Sequence, residues 1–464
     1  MRLDVVMGEG LWQGIRTDLF DGDKEGFAFG LARPVRVGGT LRFVLEHVVP
    51  LSSADYAVRG RAGLALTREA SSRFNGMGAD AAALGLVPVH MHSHPRGVDD
   101  FSSHDDEAEE NTHRWLRDRG QPWLLSLVQA PGARPRVRLW REGAFHACGL
   151  RLGLRRMAMP GDMDGKDRGA DENVPELPAL DRQRAFGSAF SQSAARLRVG
   201  VVGVGGVGMP VAEMLARSGF RDFVLVDPDR VEETNLNRLG HAFRRDVGRF
   251  KVELCRGIIR RAGQTVGTSP RVRAFREDIN LAGRRALDAL AGCDLVLALT
   301  DDELSRIACL KLALAHGVEY LQGGVRIGQN RDVLDSLAVE FTGAESGRYC
   351  PLCSGRLSSA QASIDALRYV GGEVFARARA EGYIPEEPSP SVMSLNAVAA
   401  GALVLEIQKR VAGIGDAPLD LWQHDLLTGT LRFEKRLERK LSGSCAVCGR
   451  PGYGTGEDAG SVSC

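Results

Sequence analysis

The stretch "RVGVVGVGGVGMPVAEMLARSGFRDFVLVDPDRV", residues 198–231, determines the fold class. It predicts an apolar strand, a glycine-rich turn, a helix and a second apolar strand that ends at Asp227. Further strand-like runs follow in "CDLVLALTDD" (293–302) and "VEYLQGG" (318–324), with helical stretches between them. Alternating strands and helices are typical of a parallel sheet, so the sequence predicts an α/β, doubly wound, Rossmann-like domain.

The glycine-rich turn allows a backbone to approach phosphate groups at a helix N-terminus. Its GxGGxG pattern consists of Gly203, Gly205, Gly206 and Gly208. The pattern alone is weak, because any dinucleotide-binding fold can carry it, and Asp227 would suit the ribose of either NAD or ATP.

Polar and cationic residues after the second strand discriminate between these nucleotides. They are Asp229, Asn235, Arg238 and Lys251. A triphosphate needs such a density of polar and cationic groups, whereas a nicotinamide does not. Asp301 and Asp302 end a later strand, where a carboxylate can hold Mg²⁺. The pattern therefore favours ATP with Mg²⁺.

Composition limits the possible partners. The chain has 464 residues, of which 44% are hydrophobic and 26% charged, as expected for a globular protein of two or three domains. Lys plus Arg (60) nearly equals Asp plus Glu (59), so no global field attracts nucleic acid or an anionic membrane. No apolar run reaches the roughly 18 residues of a membrane span, and no signal core follows Met1. We therefore predict a cytoplasmic protein without nucleic-acid or membrane partners.

A segment rich in Gly, Pro and Asp, "MPGDMDGKDRGADENVPELPALD" (159–181), indicates a linker. Before it, alternating apolar runs with few long helices predict an α+β domain. The predicted organisation is therefore an α+β domain over residues 1–155, a linker over 156–180, the α/β domain over 181–448 and a flexible tail over 449–464.

The first domain contains "VPVHMHSHP" (87–95), whose alternation predicts a strand with His90, His92 and His94 on one face. The following "FSSHDDEAEENTHRWLRD" (101–118) predicts a helix capped by Ser102 or Ser103, with Asp105 on the same face as Ser102. Two imidazoles and a carboxylate leave one tetrahedral position of Zn²⁺ open, which is the arrangement of a hydrolytic zinc site. A histidine-rich solvated loop is the alternative.

At these residues the sequence resembles the JAMM (MPN-type) metalloproteases, whose signature is HxHP, seven residues, S, two residues and D. The resemblance covers residues 1–155 and implies cleavage of isopeptide or peptide bonds after the C-terminal glycine of ubiquitin-like proteins. It implies that His92, His94 and Asp105 are the ligands of a catalytic Zn²⁺ and that Ser102 helps to hold the tetrahedral oxyanion. The neighbouring His90, His104 and Asp106 have no counterpart, which favours structural roles for them.

The chemistry also needs a general base. In the JAMM family this is a glutamate far upstream that precedes an apolar strand. Glu25 is the best match because it directly precedes "GFAFGLA" (26–32), and Glu9 and Glu46 are the fallbacks. A surface charge is the alternative for each glutamate.

Residues 181–448 resemble the ubiquitin-activating superfamily, in particular its smaller ThiF/MoeB-like members, which adenylate the sulfur carriers of molybdopterin and thiamine synthesis. The resemblance implies a nucleotide loop at Gly203–Gly208, a ribose ligand at Asp227, phosphate contacts at Asn235, Arg238 and Lys251, and a magnesium ligand at Asp301. In "DRQRAFGSAF" (181–190), Arg182 matches an arginine that reaches the ATP of the partner subunit, which implies a homodimer. The implied reaction is attack of a C-terminal glycine carboxylate on the α-phosphate of ATP.

Two CxxC pairs, "YCPLC" (349–353) and "SCAVC" (444–448), fit a closed tetrahedral site for a structural Zn²⁺. The ligands would be Cys350, Cys353, Cys445 and Cys448. Thioredoxin-like redox chemistry is the alternative, but neither pair opens a helix after a strand.

Activating enzymes that form a thioester usually carry a cysteine in the crossover loop after the first CxxC. Residues 354–444 contain no cysteine. We predict that Cys255 and Cys309 belong to the core, and Cys464 is an outside candidate on the tail. A serine of "CSGRLSSAQAS" (353–363) could form an oxyester, although a polar loop is the ordinary explanation.

Together these features predict a bifunctional enzyme: a zinc isopeptidase fused to an ATP-dependent adenylation domain, both acting on a ubiquitin-like protein with a C-terminal glycine. A ubiquitin-conjugating-type enzyme would be a further partner. The main alternative is activation of a sulfur carrier, with thiocarboxylate formation for cofactor, cysteine or siderophore synthesis. An alternative of another class is a scaffold whose first domain only binds the carrier.

Overall fold

The structure, a computed structural model, describes residues 1–20, 22–61, 63–95, 99–158, 177–187, 189–330, 333–382, 390–415, 419–435 and 445–449. The chain divides into two compact units, Met1–Asn173 with Ser346–Arg348, and Val174–Glu345 with Tyr349–Cys464. The main division falls inside the predicted linker. Residues 159–176 and 450–464 lie outside the described residues, so the linker and the tail stay predictions.

The first unit contains both helices and strands. In chain order they are β1 (Arg2–Met7), α1 (Glu9–Leu19), β2 (Phe27–Val37), β3 (Thr40–Pro50), β4 (Tyr56–Arg59), β5 (Leu64–Leu66), α2 (Arg68–Ala83), β6 (Val87–Ser93), α3 (Ser103–Arg117), β7 (Trp123–Gln129), β8 (Arg136–Arg141), β9 (Ala144–Ala147), β10 (Gly149–Leu152) and β11 (Arg155–Ala158).

Most strands of the first unit form one mixed sheet in the order β11-β10-β1-β3-β2-β6-β7-β8-β9, with β4 and β5 paired separately. Trp12 and Ile15 of α1 share a core cluster with residues of one sheet face, including Met91 of β6. Phe74 of α2 packs with Phe29 of β2 in a different cluster. Because neighbouring side chains of a strand point to opposite faces, His90 and His92 face away from the α1 cluster that contains Met91.

The second unit alternates strands and helices before it ends in antiparallel strands. Its elements are α4 (Phe190–Arg196), β12 (Arg198–Val202), α5 (Gly208–Arg217), β13 (Asp222–Val226), α6 (Lys251–Thr265), β14 (Arg271–Phe275), α7 (Arg284–Ala291), β15 (Leu295–Ala298), α8 (Glu303–His316), β16 (Glu319–Asn330), β17 (Val333–Ala344), α9 (Ser359–Asp365), α10 (Gly372–Ala380), α11 (Met393–Ala412), β18 (Leu419–Asp425) and β19 (Thr430–Lys435).

The sheet of the second unit confirms the predicted doubly wound topology. Its order is β14-β13-β12-β15-β16-β17-β18-β19, and the pairs from β14 to β16 are parallel. The chain leaves β12 toward β13 on one side and later returns to β15 on the other. This arrangement makes the β12/β15 pair a topological switch point, the usual ligand position of such sheets.

The described helices include none with the length and apolar composition required to cross a bilayer. The 20-residue helix α11 packs instead against α5, β16 and β17, and it buries the polar side chains of Asn396 and Glu406. The predicted cytoplasmic location stays a prediction.

Candidate functional site

The predicted metal ligands of the first unit lie together where β6 ends and α3 begins. His92 Nε2 is 3.2 Å from His94 Nε2 and 3.2 Å from Asp105 Oδ1, and His94 Nε2 is 3.5 Å from Asp105 Oδ2. Ligand atoms about 2.0–2.1 Å from a tetrahedral Zn²⁺ are separated by about 3.3 Å. The donor types and their spacing therefore fit one zinc ion.

A capping box positions Asp105. Ser102 is the N-cap of α3, its backbone N–H donates to Asp105 Oδ2 at 2.7 Å, and its Oγ accepts from the Asp105 backbone N–H at 3.2 Å. The pKa of Asp105 lies far below its usual value: burial raises it, but contacts with His92, His94 and Ser102 outweigh burial. The carboxylate is therefore ionised, as a metal ligand must be.

The hydroxyl of Ser102 has a specific partner. Ser102 Oγ donates to Asp105 Oδ2 at 2.7 Å. A hydroxyl has one proton to donate, so this contact competes with donation to an oxyanion. The predicted oxyanion role of Ser102 stays a prediction and requires the hydroxyl to rotate away from Asp105.

A buried arginine holds the first turns of α3 against β8. Arg138 Nε donates to Glu109 Oε2 at 2.8 Å, Arg138 Nη1 lies 2.5 Å from Asp106 Oδ1, and the guanidinium stands 3.7 Å from the ring centroid of Phe101. Asp106, which was predicted to be structural, thus helps Arg138 to hold the N-terminal turns of α3, which contain Asp105.

Glu25 lines the same cavity as His92, His94 and Asp105, and it is 9% exposed. Its backbone N–H donates to Gly60 O at 2.8 Å, and the adjacent Gly26 N–H donates to Ser93 Oγ of β6 at 2.9 Å. Burial raises the pKa of Glu25 above that of an ordinary carboxyl, while His94 and His92 lower it. A raised pKa suits a group that accepts and returns a proton near neutral pH.

The fallback glutamates have other partners. Glu46 Oε1 accepts a hydrogen bond of 2.6 Å from Arg33 Nε, and Glu9 pairs with Arg155. Neither glutamate lines the cavity that contains His92, His94 and Asp105. The structure therefore favours Glu25 among the predicted bases.

The cavity lined by His92, His94 and Asp105 has a volume of about 310 Å³. Its wall also includes His90 and His104, which the sequence assigned structural roles. The ring of His90 packs edge-on against Phe27, with ring centroids 5.2 Å apart. The alternation of β6 predicted from sequence that His90 lies on the same face as His92. It did not predict the cavity that both residues line.

The second unit has a cavity of about 290 Å³ at the carboxyl ends of its parallel strands. The predicted nucleotide residues in its wall are Gly203, Gly205, Gly206, Asp227, Asp229, Arg238, Lys251 and Asp301. The glycines and the three aspartates follow the ends of β12, β13 and β15, as expected at the switch point, whereas Arg238 lies in the segment after β13 and Lys251 begins α6.

The glycine loop is shaped by close backbone contacts. Gly203 has φ +86°, and a Cβ there would lie 2.7 Å from the backbone of Leu299. A Cβ on Gly206 would lie 2.2 Å from Nδ2 of Asn396. Glycine is therefore required at Gly203, whereas a Cβ at Gly206 would force the Asn396 side chain to move. Gly208 opens α5 and does not line the cavity, but a Cβ there would lie 2.1 Å from the backbone oxygen of Gly203.

Asp227 directly follows β13 and accepts hydrogen bonds from backbone donors. Its Oδ2 accepts from Val204 N–H at 2.8 Å and its Oδ1 accepts from Asp229 N–H at 2.8 Å. Burial raises the pKa of Asp227 to about 6, although Lys251 opposes the shift. Above that pH the carboxylate is a hydrogen-bond acceptor suited to ribose hydroxyls.

The predicted phosphate-binding cations have their own partners. Lys251 Nζ lies 2.8 Å from Asp229 Oδ2, and Arg238 Nη1 donates to Thr234 O at 2.6 Å. Asn235 is buried and accepts from Glu232 N–H at 3.4 Å, outside the cavity wall. Its phosphate contact therefore stays a prediction, as does the role of the exposed Arg182, which also lies outside this wall.

The two aspartates after β15 differ in their contacts. Asp302 is the N-cap of α8 and accepts from Ser305 N–H at 2.8 Å. Asp301 is exposed in the cavity wall. Because Asp302 caps the helix, Asp301 is the better placed of the two carboxylates, and its role as a Mg²⁺ ligand stays a prediction.

Sequence reasoning missed several residues of this wall, including Asp278, Arg306, Arg368 and Asn396. Asn396 interrupts the apolar pattern of α11, which was a signal that a polar side chain has a partner there. Nδ2 of Asn396 donates to Ser391 Oγ at 3.0 Å. The other residues belong to segments without a recognisable motif.

The four predicted thiolate ligands form a second possible metal site. The Sγ atoms of Cys350, Cys353, Cys445 and Cys448 all lie within 4.8 Å of one another. The backbone N–H groups of Val447 and Cys448 approach Cys445 Sγ at 3.4 and 3.5 Å. Four converging sulfurs with backbone donors fit a closed Zn–S₄ site, which would contribute folding free energy.

Replacing Cys350 with serine is therefore expected to remove one of about two zinc ions per chain and to lower the Tm, because a closed thiolate site stabilises the fold directly. Elemental analysis and thermal unfolding check this. Cys148→Ser is the control for zinc content, since Cys148 is buried in the first unit and is not one of the four clustered cysteines. An unchanged zinc content in Cys350→Ser would contradict the assignment.

The remaining described cysteines are buried. They are Cys148, Cys255, Cys293 and Cys309. Burial raises the pKa of each of these thiols well above its usual value. The core positions predicted for Cys255 and Cys309 agree with the structure, and Cys464 lies outside the described residues.

A family model described as the ThiF family matches residues 180–447, more than half of the chain. The chain belongs to the ThiF family. The predicted ThiF/MoeB-like, Rossmann-type domain is thereby confirmed. The ThiF match begins at residue 180, so the JAMM-type assignment of residues 1–155 stays a prediction.

Two curated relatives illustrate the similarity. The chain is 34% identical over 152 residues to "Probable adenylyltransferase/sulfurtransferase MoeZ" of Mycobacterium tuberculosis, covering 33% of this chain and 35% of the relative. It is 25% identical over 280 residues to "Sulfur carrier protein adenylyltransferase" of Thermus thermophilus, covering 59% of this chain and 91% of the relative. The chain spans about a third of the length of the first curated relatives it matches.

Among solved structures, the chain is similar to the crystal structure of E. coli MccB, with a TM-score of 0.45 and 14% identity. The similarity covers 91% of this chain and 97% of that chain. These values do not establish a common function for the two proteins.

Proposed function

We propose that the ThiF domain uses ATP to adenylate a carboxylate. The observation that carries the proposal is a cavity at the switch point, whose wall combines the glycine loop with Asp227, Asp301 and the cations Arg238 and Lys251. In the reaction, a carboxylate oxygen forms a bond to the α-phosphorus of ATP while the bond from that phosphorus to the bridging oxygen breaks. The products are an acyl-adenylate and pyrophosphate.

Four residues of the wall have specific tasks in this proposal. Asp227 accepts hydrogen bonds from the ribose, and Asp301 would hold Mg²⁺, which neutralises phosphate charge when bound. Lys251 exchanges its contact with Asp229 for a phosphate oxygen, and Arg238 supplies a second cation. Adenylation needs little acid–base assistance, so positioning and charge neutralisation account for the catalysis.

The carboxylate would be the C-terminal glycine of a small carrier protein. The names of the relatives, adenylyltransferase/sulfurtransferase and sulfur carrier protein adenylyltransferase, support the sulfur-carrier alternative better than the combined isopeptidase and ubiquitin-like reading. Both readings share the adenylation step. They differ in the acceptor that later takes the acyl group.

Purified protein with Mg²⁺, ATP and a glycine-terminated carrier tests the proposal. Labelled pyrophosphate should exchange into ATP, because adenylate formation is reversible, and NAD should not bind appreciably. Conversion of the carrier to a thiocarboxylate by a sulfur donor would favour the sulfur-carrier reading. Absence of exchange with every glycine-terminated carrier would favour the scaffold reading.

Replacing Cys255 or Cys309 with alanine is expected to leave exchange unchanged within about twofold, because buried thiols of raised pKa do not act as nucleophiles. No reductant-sensitive adduct with the carrier should accumulate, as mass spectrometry of the intact protein can check. A thioester lost in one of these variants, or in Cys464→Ala, would contradict this expectation.

A second proposed function belongs to the first unit, which we propose to be a metal-dependent peptidase for the same carrier. It rests on the convergence of His92, His94 and Asp105 beside Glu25 in one cavity. A bound Zn²⁺ would supply Lewis-acid chemistry there. Glu25 would take a proton from the attacking water and return it to the leaving amine.

Cleavage of a carrier fused to an extra C-terminal peptide tests the second function. A chelator should stop cleavage, and added zinc should restore it. Binding of the carrier fusion without cleavage, in protein loaded with zinc, would leave the first unit as a carrier-binding scaffold.

A further inference from the structure

The segment between the first CxxC pair and α11 contributes an arginine to the cavity at the switch point of the second unit, which is called the nucleotide cavity below. This crossover segment, residues 359–380, consists of α9, a 3₁₀ turn (Ala366–Tyr369) and α10. Arg368, in the 3₁₀ turn, lines the cavity together with Asp301 and Asp278. The adenylation residues assigned above do not include it.

Hydrogen bonds on both sides of Arg368 fix the turn. Asp365 Oδ2 accepts from the backbone N–H groups of Glu303 and Leu304, at 2.8 and 3.3 Å, in the first turn of α8. Tyr369 Oη donates to Asp278 Oδ2 at 2.6 Å. The turn is thus tied to the helix that follows Asp301, and Arg368 is held at the wall.

The cationic side chains of the described cavity wall differ in their hydrogen-bond partners. They are Arg238, Lys251, Arg306 and Arg368. Arg306 donates from both Nε and Nη2 to the carbonyl oxygen of Thr300, at 3.0 and 2.8 Å. Arg306 therefore supports the backbone beside Asp301.

Arg368 donates only from Nε, to Asp365 O at 3.1 Å. Its Nη2 is 4.0 Å from Asp365 Oδ1, and within the described residues neither terminal nitrogen makes a hydrogen bond. The side chain is 45% exposed. The terminal nitrogens of the guanidinium are therefore free to bind a ligand.

A purely structural role is the competing explanation. The ion pair of Arg368 with Asp365 is 4.0 Å long and the arginine side chain is 45% exposed, so the pair contributes little to stability. Asp365 and Tyr369 already anchor the turn. A guanidinium with free terminal donors instead matches the geometry of a carboxylate or phosphate.

We propose that Arg368 binds an oxyanion of the adenylation reaction, either a phosphate of ATP or the C-terminal carboxylate of the carrier. The inference rests on the proposed adenylation function and adds a residue to it. The crossover segment would then form part of the substrate site through one side chain.

The test compares Arg368→Met and Arg368→Lys with Arg377→Met in the full chain. Arg377 is a matched control because it lies on α10, is 80% exposed and pairs only with Glu381 among the described residues. Calorimetry measures ATP affinity with Mg²⁺ and no carrier, and pyrophosphate exchange measures the KM of a glycine-terminated carrier. Arg368→Met should weaken one of these constants about tenfold, the scale of a lost charged hydrogen bond, and Arg368→Lys should restore part of it.

The two measurements identify the anion. Weaker ATP binding without carrier assigns Arg368 to a phosphate, and a higher carrier KM with normal ATP binding assigns it to the carboxylate. If exchange is normal and both constants match the Arg377→Met control, the proposal is overturned, even if the Tm of Arg368→Met is lower. Failure of the unaltered protein to bind ATP or to exchange pyrophosphate would overturn the adenylation function itself, and Arg368 with it.

Discussion

Pyrophosphate exchange into ATP is expected to fall by about two to three orders of magnitude when Asp301 is replaced by alanine. Asp301 is the exposed carboxylate of the cavity wall after β15, whereas Asp302 is occupied in capping α8. Without Asp301 the phosphates lose the ligand that would hold Mg²⁺, and their charge is no longer neutralised as pyrophosphate leaves. Exchange kinetics at saturating carrier measure the loss.

The neighbouring aspartate provides a contrast for this experiment. Asp302→Ala removes a helix cap and should lower stability by roughly 1 kcal/mol, whereas Asp301→Ala should leave the Tm unchanged. Asp288→Asn is the surface control, because Asp288 on α7 is 71% exposed. His94→Ala should also leave exchange intact if the two units work independently. Full exchange in Asp301→Ala would move the magnesium ligand to another residue.

The topology of the ThiF domain was predictable because its central strands are apolar and continuous. The runs that became β12, β13, β15 and β16 are buried and bounded by turn residues. The strand β14 (Arg271–Phe275) escaped prediction because it lies at the sheet edge, where arginine alternates with apolar residues. An edge strand has one paired neighbour and need not be apolar, so its sequence resembles a loop.

The convergence of His92, His94 and Asp105 was predictable because these residues are close in sequence and two local structures set their directions. Strand alternation places His92, and the capping box of α3 places Asp105. Glu25 is isolated in sequence, and only the family resemblance pointed to it. Its position depends on Ser93 and Gly60, contacts across the fold that no local pattern encodes.

Only part of the wall of the nucleotide cavity could likewise be predicted from the sequence. The glycine loop and Asp227 belong to one strand–turn–helix–strand unit, which the sequence predicts directly. Asn396 and Arg368 lie in segments more than 140 residues later in the sequence. Their place in the wall depends on how α11 and the crossover segment pack, which composition and periodicity do not determine.

Replacing Glu25 with glutamine is expected to lower cleavage of a carrier fused to a C-terminal peptide by about two to four orders of magnitude, the usual contribution of a general base. Glutamine keeps the size of the side chain and removes its capacity to take a proton. The metal ligands are untouched, so zinc content should be unchanged, whereas His94→Ala should lose both zinc and cleavage. Cleavage kinetics with elemental analysis of the same samples check both expectations.

Glu69→Gln is the matched control, because Glu69 is an exposed glutamate in the first turn of α2, whose later residues line the cavity. It should cleave at the normal rate. The pH profile gives an independent check. Glu25 must be ionised to act as a base and burial raises its pKa, so cleavage should decline with falling pH at values above those of an ordinary glutamate. That decline should disappear in Glu25→Gln. Unimpaired cleavage by Glu25→Gln with zinc retained would assign the base to a different residue, and loss of zinc in that variant would show that Glu25 acts on the metal site.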